Sequence, residues 1–387
     1  MKLIPYARQD ISPADIEAVS ELLRSDWLTQ GPAIPRFEEA VAKYVGVRHA
    51  VAVSSATAAL HVACRSLNLG PGDWLWTSPN TFVASANCGV YCGARIDFVD
   101  IDSRTYNLSV ERLKEKLVLA KEENRLPKVV VPVHFAGQSC EMEAIHALSK
   151  EYGFRILEDG SHAIGGMYQG AKVGNCRYSD ITVFSFHPVK IITTAEGGMA
   201  LTNNPELAER MSRLRTHGIT SKSERMLPRP AGEVWNYQQV ELGYHYRMTD
   251  LQAALGLSQL ARLDSFVSRR RQIAENYDQA FSSKVIFPWQ HPDCRSSYHL
   301  YVIRIRKSLC GKTQKEVMGA LEKAKVGANL HYIPVYRQPF YEKMGFRSGY
   351  CSEAENYFRE AVSIPMYPAL SDGQQEHVII SLRDILD

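Results

Sequence analysis

The chain has 387 residues, of which 45% are hydrophobic and 22% charged, and its net charge is +3. This balance is typical of a folded globular protein and excludes disorder and fibres, while the small net charge gives no basis for binding nucleic acid or anionic membranes. No apolar run reaches the roughly 18 residues that span a bilayer, and residues 1–8 lack a signal-peptide core. Eight dispersed cysteines without a CxxC pair predict reduced thiols, no metal site and a cytoplasmic location.

The first 160 residues alternate between helix and strand patterns. Ser12 as an N-cap, followed by Pro13, predicts a helix to about residue 25, and apolar residues at helical spacing predict a second around 37–44. The predicted strands are then 49–53, 74–77, 96–99, 129–133 and 154–158, and the helices between them are 57–67, 82–91, 110–120 and 142–152. This alternation predicts parallel βαβ units in a mostly parallel sheet with both faces covered.

The pattern changes after a further predicted strand that ends near residue 201. Residues 205–215 read as a helix, and the polar stretch 221–240 with its two prolines reads as a long surface loop. A long amphipathic helix is predicted over 249–268, an antiparallel strand over 298–305 and a helix over 314–324, capped by Thr313. We therefore expect a smaller α/β domain from about residue 250, with the amino-terminal helix packing against it.

Two polar groups follow buried strands at the edge where parallel sheets bind ligands. Asp159 ends the apolar stretch 154–158, and Lys190 follows the apolar stretch 181–184. A lysine amine can form a Schiff base with the aldehyde of pyridoxal phosphate, and a carboxylate can keep the pyridine nitrogen protonated. The pair predicts pyridoxal phosphate chemistry, although an N-cap role for Asp159 is the structural alternative.

Other residues near these strand ends are compatible with binding the same cofactor. Residues 54–60 follow a strand and open a helix with small side chains, which suits a phosphate but is also common in plain helix caps. Phe82 could stack on a flat ring or fill the core, and His162 could contact the cofactor or be a core histidine. Ser185 could bind the phosphate. A glycine-rich dinucleotide loop is missing from the first βα turn, which argues against a nicotinamide enzyme.

Five stretches of the chain resemble the DegT/DnrJ/EryC1/StrS family of sugar aminotransferases: residues 54–60, 79–84, 158–165, 185–198 and 242–257. The resemblance implies a fold-type I pyridoxal phosphate enzyme, α/β in class. A large domain (31–248) would hold a mostly parallel seven-stranded sheet, and a smaller α/β domain (249–387) would follow. Residues 1–30 would pack on the small domain. The resemblance also implies a homodimer with shared active sites.

The same resemblance assigns roles to individual residues. Lys190 would bind the cofactor and Asp159 its pyridine nitrogen, with His162 near the phenolic oxygen as the third catalytic residue. Phe82 would stack on the ring, and Ala56, Thr57 and Ser185 would hold the phosphate. His245 stands where the family usually has an asparagine that reaches the phosphate of the partner subunit's cofactor, and a histidine can also donate there.

Residues 186–194 and 331–336 resemble the members that use L-glutamate to aminate C4 of a UDP-4-keto-6-deoxy-N-acetylhexosamine for pseudaminic acid biosynthesis. The resemblance places the following residues at the nucleotide-sugar site: Tyr6, Asp26, Trp27, Leu28, Thr29, Ser55, His331, Tyr332, Ile333, Pro334 and Tyr341. The alternatives are amination of another UDP-, GDP- or dTDP-linked keto sugar, or a cofactor-binding regulatory protein. The sugar 3-dehydratases of the same fold have histidine in place of this lysine.

Overall fold

The computed structural model describes residues 2–228, 236–281 and 284–387. The strands are β1 (His49–Val53), β2 (Trp74–Thr77), β3 (Arg95–Phe98), β4 (Val129–Val131), β5 (Arg155–Asp159), β6 (Met167–Tyr168), β7 (Ala171–Lys172), β8 (Ile181–Ser185), β9 (Gly198–Thr202), β10 (Ile219–Thr220), β11 (Gln238–Gln239), β12 (Cys294–Arg295), β13 (Tyr301–Arg304) and β14 (Ala361–Ile364). The α-helices are α1 (Pro13–Leu23), α2 (Ala33–Val45), α3 (Ala56–Ser66), α4 (Ala84–Tyr91), α5 (Val110–Glu122), α6 (Met142–Tyr152), α7 (Pro205–Leu214), α8 (Asp250–Ala261), α9 (Leu263–Ala280), α10 (Lys307–Cys310), α11 (Gln314–Lys323), α12 (Pro339–Glu342), α13 (Ser352–Glu360) and α14 (Asp372–Leu386).

A seven-stranded sheet forms the centre of the molecule, in the order β1-β9-β8-β5-β4-β2-β3. The strands from β8 through β3 are parallel to one another, and β9 lies antiparallel between β8 and β1. Alternate residues of one strand belong to different hydrophobic clusters, so both faces of the sheet are covered. In β4, Val129 and Val131 join the cluster on one face, and Val130 joins the cluster on the other. The predicted fold class is confirmed: an α/β protein with a mostly parallel sheet.

A second, smaller core lies beyond the sheet. β13 pairs antiparallel with β14, and a hydrophobic cluster forms around them from Ile273 to Leu386. Ile4 of the amino-terminal segment joins this cluster, and its backbone bonds to Lys325 and Gly327. The predicted antiparallel strand is therefore present, but it is shorter at both ends, covering Tyr301–Arg304 instead of 298–305. The domain boundaries at residues 30 and 248 stay predictions.

The predicted helix over 249–268 is wrong as a single element, because the chain forms two helices that break at Arg262. The Arg262 guanidinium donates to the carboxylates of Asp10 and Asp15. Asp15 is fully buried and also accepts from Ser258 and Gln259, so the amino-terminal helix α1 is fixed on α8. The break thus lies at a residue whose charged side chain pairs with a distant segment. The local spacing of apolar residues gives no sign of such a contact.

The predicted surface loop over 221–240 is only partly described. A 3₁₀ turn covers Ser223–Arg225, and β11 pairs with β10 to form a short ladder, while residues 229–235 lie outside the described part. In the described ranges no helix is long and apolar enough to cross a membrane. The same ranges contain no group of three or more histidine, cysteine or acidic side chains that could hold a metal ion.

Candidate active site

A cavity of about 630 Å³ opens at the carboxyl ends of the parallel strands. Its walls come from the ends of β5 and β8, the starts of α3 and α4, the β8–β9 loop and the segment 329–338. It brings together most of the residues that the sequence predicted for the site: Tyr6, Ser55, Ala56, Thr57, Phe82, Asp159, His162, Ser185, Lys190, His331, Tyr332 and Ile333. Residues up to 332 positions apart in the chain share this one cavity, since 338 − 6 = 332.

Other predicted residues do not line the cavity of this chain. Asp26, Trp27, Leu28 and Thr29 are exposed after α1, and His245 is exposed with its ring stacked on His217. Pro334 is buried. Tyr341 is buried too, and its hydroxyl donates to the Asn87 side chain at 2.6 Å.

The Lys190 amine is half-buried in the wall of the cavity, on the loop between β8 and β9. Its backbone amide donates to the His187 carbonyl at 2.9 Å, which closes the loop. Among the described residues no hydrogen bond holds the amine itself. Burial lowers the pKa of Lys190 to about 8, against the opposing attraction of Asp159. The neutral, nucleophilic form of the amine is therefore more populated near physiological pH than in an ordinary lysine.

The two acids at the end of β5 have separate surroundings. Asp159 lines the cavity, where Oδ2 accepts from the Ser85 hydroxyl at 2.6 Å and Oδ1 from the Ser161 amide at 3.1 Å. Glu158 instead accepts from His134 Nε2 at 2.6 Å and from two hydroxyls, those of Ser179 and Thr182. Burial opposes ionisation of Glu158, but these hydrogen bonds outweigh it and lower the pKa. Asp159 is therefore the carboxylate that faces a ligand.

The start of α3 forms one wall and has free backbone donors. Ser55 caps the helix by accepting from the Ala58 amide, which leaves the amides of Ala56 and Thr57 outside the helical ladder. A side chain at Gly198 would come within 2.5 Å of the Ala56 nitrogen, so only glycine lets β9 approach this turn. Free amides at a helix start bind a phosphate group.

Three neutral imidazoles line the opposite wall. Burial and the positive charge of Lys190 lower the pKa of His331 to about 4. Burial, together with Lys190 and His331, lowers the pKa of His162 well below its ordinary value. The Ala136 amide donates to His162 Nδ1, so the single proton of the neutral ring is on Nε2, which lies 3.2 Å from the Tyr332 hydroxyl. The His299 ring lies 4.3 Å from that of His162 at an interplanar angle of 43°, and burial lowers the pKa of His299 in the same way.

Phe82 gives the cavity an exposed aromatic side chain. Its side chain is 59% exposed although it lines the cavity, and its ring lies 6.4 Å from that of Tyr332. An aromatic face open to a cavity, a nucleophilic amine, a buried carboxylate and free helix amides are the groups that pyridoxal phosphate requires. The residues present therefore fit this cofactor. Fold and site together define an α/β enzyme of the pyridoxal phosphate class.

Comparison with known proteins establishes the family. Residues 9–383 match the DegT/DnrJ/EryC1/StrS aminotransferase family, and the chain belongs to it. Spore coat polysaccharide biosynthesis protein SpsC of Bacillus subtilis is 40% identical over 99% of this chain and 97% of its own length. The UDP-4-amino-4,6-dideoxy-N-acetyl-beta-L-altrosamine transaminase of Campylobacter jejuni is 36% identical over 100% of this chain and 98% of its own length.

Solved structures agree with this assignment. Helicobacter pylori PseC, an aminotransferase involved in pseudoaminic acid biosynthesis, superposes with a TM-score of 0.90 at 32% identity, covering 100% of this chain and 99% of its own. The PLP form of the sugar aminotransferase Spr1654 from Streptococcus pneumoniae superposes with a TM-score of 0.87 at 30% identity, covering 99% and 98%. The predicted family, enzyme class and cofactor are confirmed: the chain is an aminotransferase that uses pyridoxal phosphate.

Sequence reasoning missed several residues that the fold brings to the site. Ser85 contacts Asp159 from the first turn of α4, and His299 lies just before β13, inside the stretch that was predicted as strand. Thr81, Asn329 and Gln338 also line the cavity. None of them stands at the end of a predicted parallel strand, which was the one signal that located Asp159 and Lys190.

Proposed function

We propose that the protein transfers the amino group of L-glutamate to C4 of a UDP-linked 4-keto-6-deoxy-N-acetylhexosamine. The product would be UDP-4-amino-4,6-dideoxy-N-acetyl-β-L-altrosamine. The observation that carries the proposal is the cavity in which the Lys190 amine, the Asp159 carboxylate and the exposed Phe82 ring meet beside the free amides of α3. The Campylobacter relative and the Helicobacter structure support the choice of sugar.

Bound pyridoxal phosphate supplies an aldehyde that captures amines and a ring that accepts the electrons of a broken C–H bond. Lys190 would hold the cofactor and, once released, move a proton with its amine, whose pKa of about 8 suits both uptake and release. Asp159 would hold the proton on the ring nitrogen. Ala56, Thr57 and Ser185 would bind the phosphate, and Phe82 would cover one face of the ring.

His162 and Tyr332 would act together at the opposite edge. Because His162 Nδ1 accepts from a backbone amide, its Nε2–H donates to the Tyr332 oxygen, and the tyrosine proton is free to be donated into the cavity. Tyr332 would then donate to a ligand oxygen while His162 orients it. Burial raises the pKa of Tyr332, so the hydroxyl stays protonated at neutral pH.

The sugar nucleotide would occupy the side of the cavity formed by Tyr6, Ser55, His331 and Ile333. The Tyr6 ring lies 5.3 Å from that of His331, and Ser363 fixes the imidazole through a 2.8 Å contact to Nδ1. This leaves His331 Nε2 for the ligand. The exposed segment 26–29 and the turn at Pro334 would contact the nucleotide outside this cavity, and Tyr341 would support that wall.

A homodimer with shared sites completes the proposal. His245 is exposed and stacked on His217, where it can reach a second subunit but not the cavity of its own chain. Three nearby apolar side chains, Leu227, Tyr237 and Leu242, are 62–76% exposed, which suits an interface. Light scattering should give twice the chain mass. The predicted cytoplasmic location agrees with eight free cysteines.

A panel of keto sugars tests the proposal. The holoenzyme is incubated with glutamate and 4-keto-6-deoxy sugars linked to UDP, GDP or dTDP, and amino sugar and 2-oxoglutarate are measured by mass spectrometry. Amination of the UDP-linked N-acetyl sugar alone, lost in Lys190→Ala, is the expected result. Amination of only another sugar would overturn the substrate but keep the aminotransferase.

A further inference from the structure

A buried pair of hydroxyls adjoins Asp159. The Ser85 hydroxyl is 2.6 Å from Asp159 Oδ2, and the Thr81 hydroxyl is 2.7 Å from that of Ser85. All three side chains are at most 5% exposed, so bulk water does not compete for these contacts. Buried hydrogen bonds to a charged acceptor are among the strongest in proteins.

The chemistry of the groups sets the direction of this chain of hydrogen bonds. A carboxylate only accepts, so the single hydroxyl proton of Ser85 points to Asp159. Ser85 then has no proton left for Thr81, and the Thr81 hydroxyl must donate to Ser85. Each donor polarises the next, and the series Thr81 to Ser85 to Asp159 ends on the charged oxygen.

Helix capping does not account for this arrangement. The α4 N-cap residue is Val83, which makes no side-chain cap, and the contact of Ser85 with the Phe82 carbonyl is long at 3.4 Å. Phe82 lies two residues before the same helix. The exposed aromatic ring and the hydroxyl that contacts the carboxylate are therefore only three residues apart in the chain, where it enters α4.

We propose that Ser85, supported by Thr81, is a positioning residue that fixes the Asp159 carboxylate for the ring nitrogen of pyridoxal phosphate. The inference rests on the role proposed above for Asp159. Ser85 holds Oδ2 and the Ser161 amide holds Oδ1, so both oxygens are fixed while Asp159 lines the cavity. Removing the Ser85 hydroxyl frees one oxygen and weakens the hold on the protonated ring.

The test uses holoenzyme reconstituted with pyridoxal phosphate that is ¹⁵N-labelled at the ring nitrogen. In Ser85→Ala the ¹⁵N signal should move toward that of unprotonated pyridine, and the Kd for the cofactor, titrated into apo-protein, should rise about tenfold, as expected for a lost hydrogen bond to a charged group. Ser85→Thr, which keeps the hydroxyl, should restore the wild-type signal. Ser78→Ala is the matched control, because Ser78 is equally buried but bonds only the Asn80 amide.

The outcomes separate this inference from the proposed function. A wild-type ¹⁵N signal and Kd in Ser85→Ala would overturn the inference, provided that Asp159→Asn shifts both. If Asp159→Asn also left both unchanged, the proposed role of Asp159 would fall with it. Should Ser85→Ala not fold, Thr81→Val decides, because it is nearly the same size and removes the donor to Ser85. Thr81→Val should shift the ¹⁵N signal and the Kd in the same direction as Ser85→Ala, but by less. If neither of them changes, the inference is overturned.

Discussion

Replacing Lys190 by methionine should make the cofactor-free protein more stable at neutral pH while it abolishes transamination. The amine is half-buried, and burial lowers its pKa to about 8 from an ordinary value of 10.5. Keeping the amine charged therefore costs free energy in the folded protein but not in the unfolded chain. Methionine has a similar length and no charge, so it removes this cost and keeps most of the packing.

The folded and unfolded pKa values of Lys190 give the size of the stability difference and its dependence on pH. At about 1.36 kcal/mol per pKa unit, the gap between 10.5 and about 8 corresponds to at most about 3 kcal/mol, less what solvent access screens. Below pH 8 the amine is charged in both states and the full cost applies. Between about pH 8 and 10.5 the folded state loses its proton first, so wild-type stability rises with pH. Above 10.5 the cost is gone.

Urea unfolding of the two apo-proteins measures the difference. The methionine variant should be more stable by up to about 3 kcal/mol near pH 7, and its advantage should shrink toward zero near pH 10.5. Lys150→Met, on the exposed face of α6, is the matched control and should show no such trend. A Lys190→Met protein that is no more stable than wild type near pH 7, or whose advantage is independent of pH, would refute the reasoning.

Three further substitutions probe other parts of the site. Phe82→Ala should weaken cofactor binding about tenfold by fluorescence titration, since an aromatic contact is lost, yet leave apo-protein stability unchanged because the side chain is 59% exposed. Tyr332→Phe should keep the cofactor but lower kcat about tenfold in steady-state assays, as for one lost hydrogen bond, and unchanged kcat would exclude the proposed donor. Glu158→Gln should destabilise the protein by about 1–3 kcal/mol in urea unfolding, because buried donors lose their charged acceptor. That loss should be present above the ordinary pKa of 4.5 and shrink as the pH falls below it, since the folded pKa is lowered; a pH-independent loss would contradict the assignment.

Local pattern was sufficient for the main architecture and for the two central residues. Alternating apolar strands and amphipathic helices predicted the parallel sheet, because each element must bury one face against its neighbour. Asp159 and Lys190 were located because parallel strands end at one edge, and β5 and β8 are indeed neighbours. The roles of these residues, and the substrate, were suggested only by resemblance to the family.

Only the tertiary structure decided what depends on contacts between distant segments. The antiparallel insertion of β9 and the break at Arg262 follow from packing and from ion pairs to Asp10 and Asp15, which have no local signature. The hydroxyl of Ser85 reaches Asp159 across 74 residues of sequence, and nothing in the helical pattern of α4 marks it. The sequence by itself determined that an amine and a carboxylate face one ligand edge, because strand ends are local. Their supporting contacts were determined by how the sheet and helices are arranged in three dimensions.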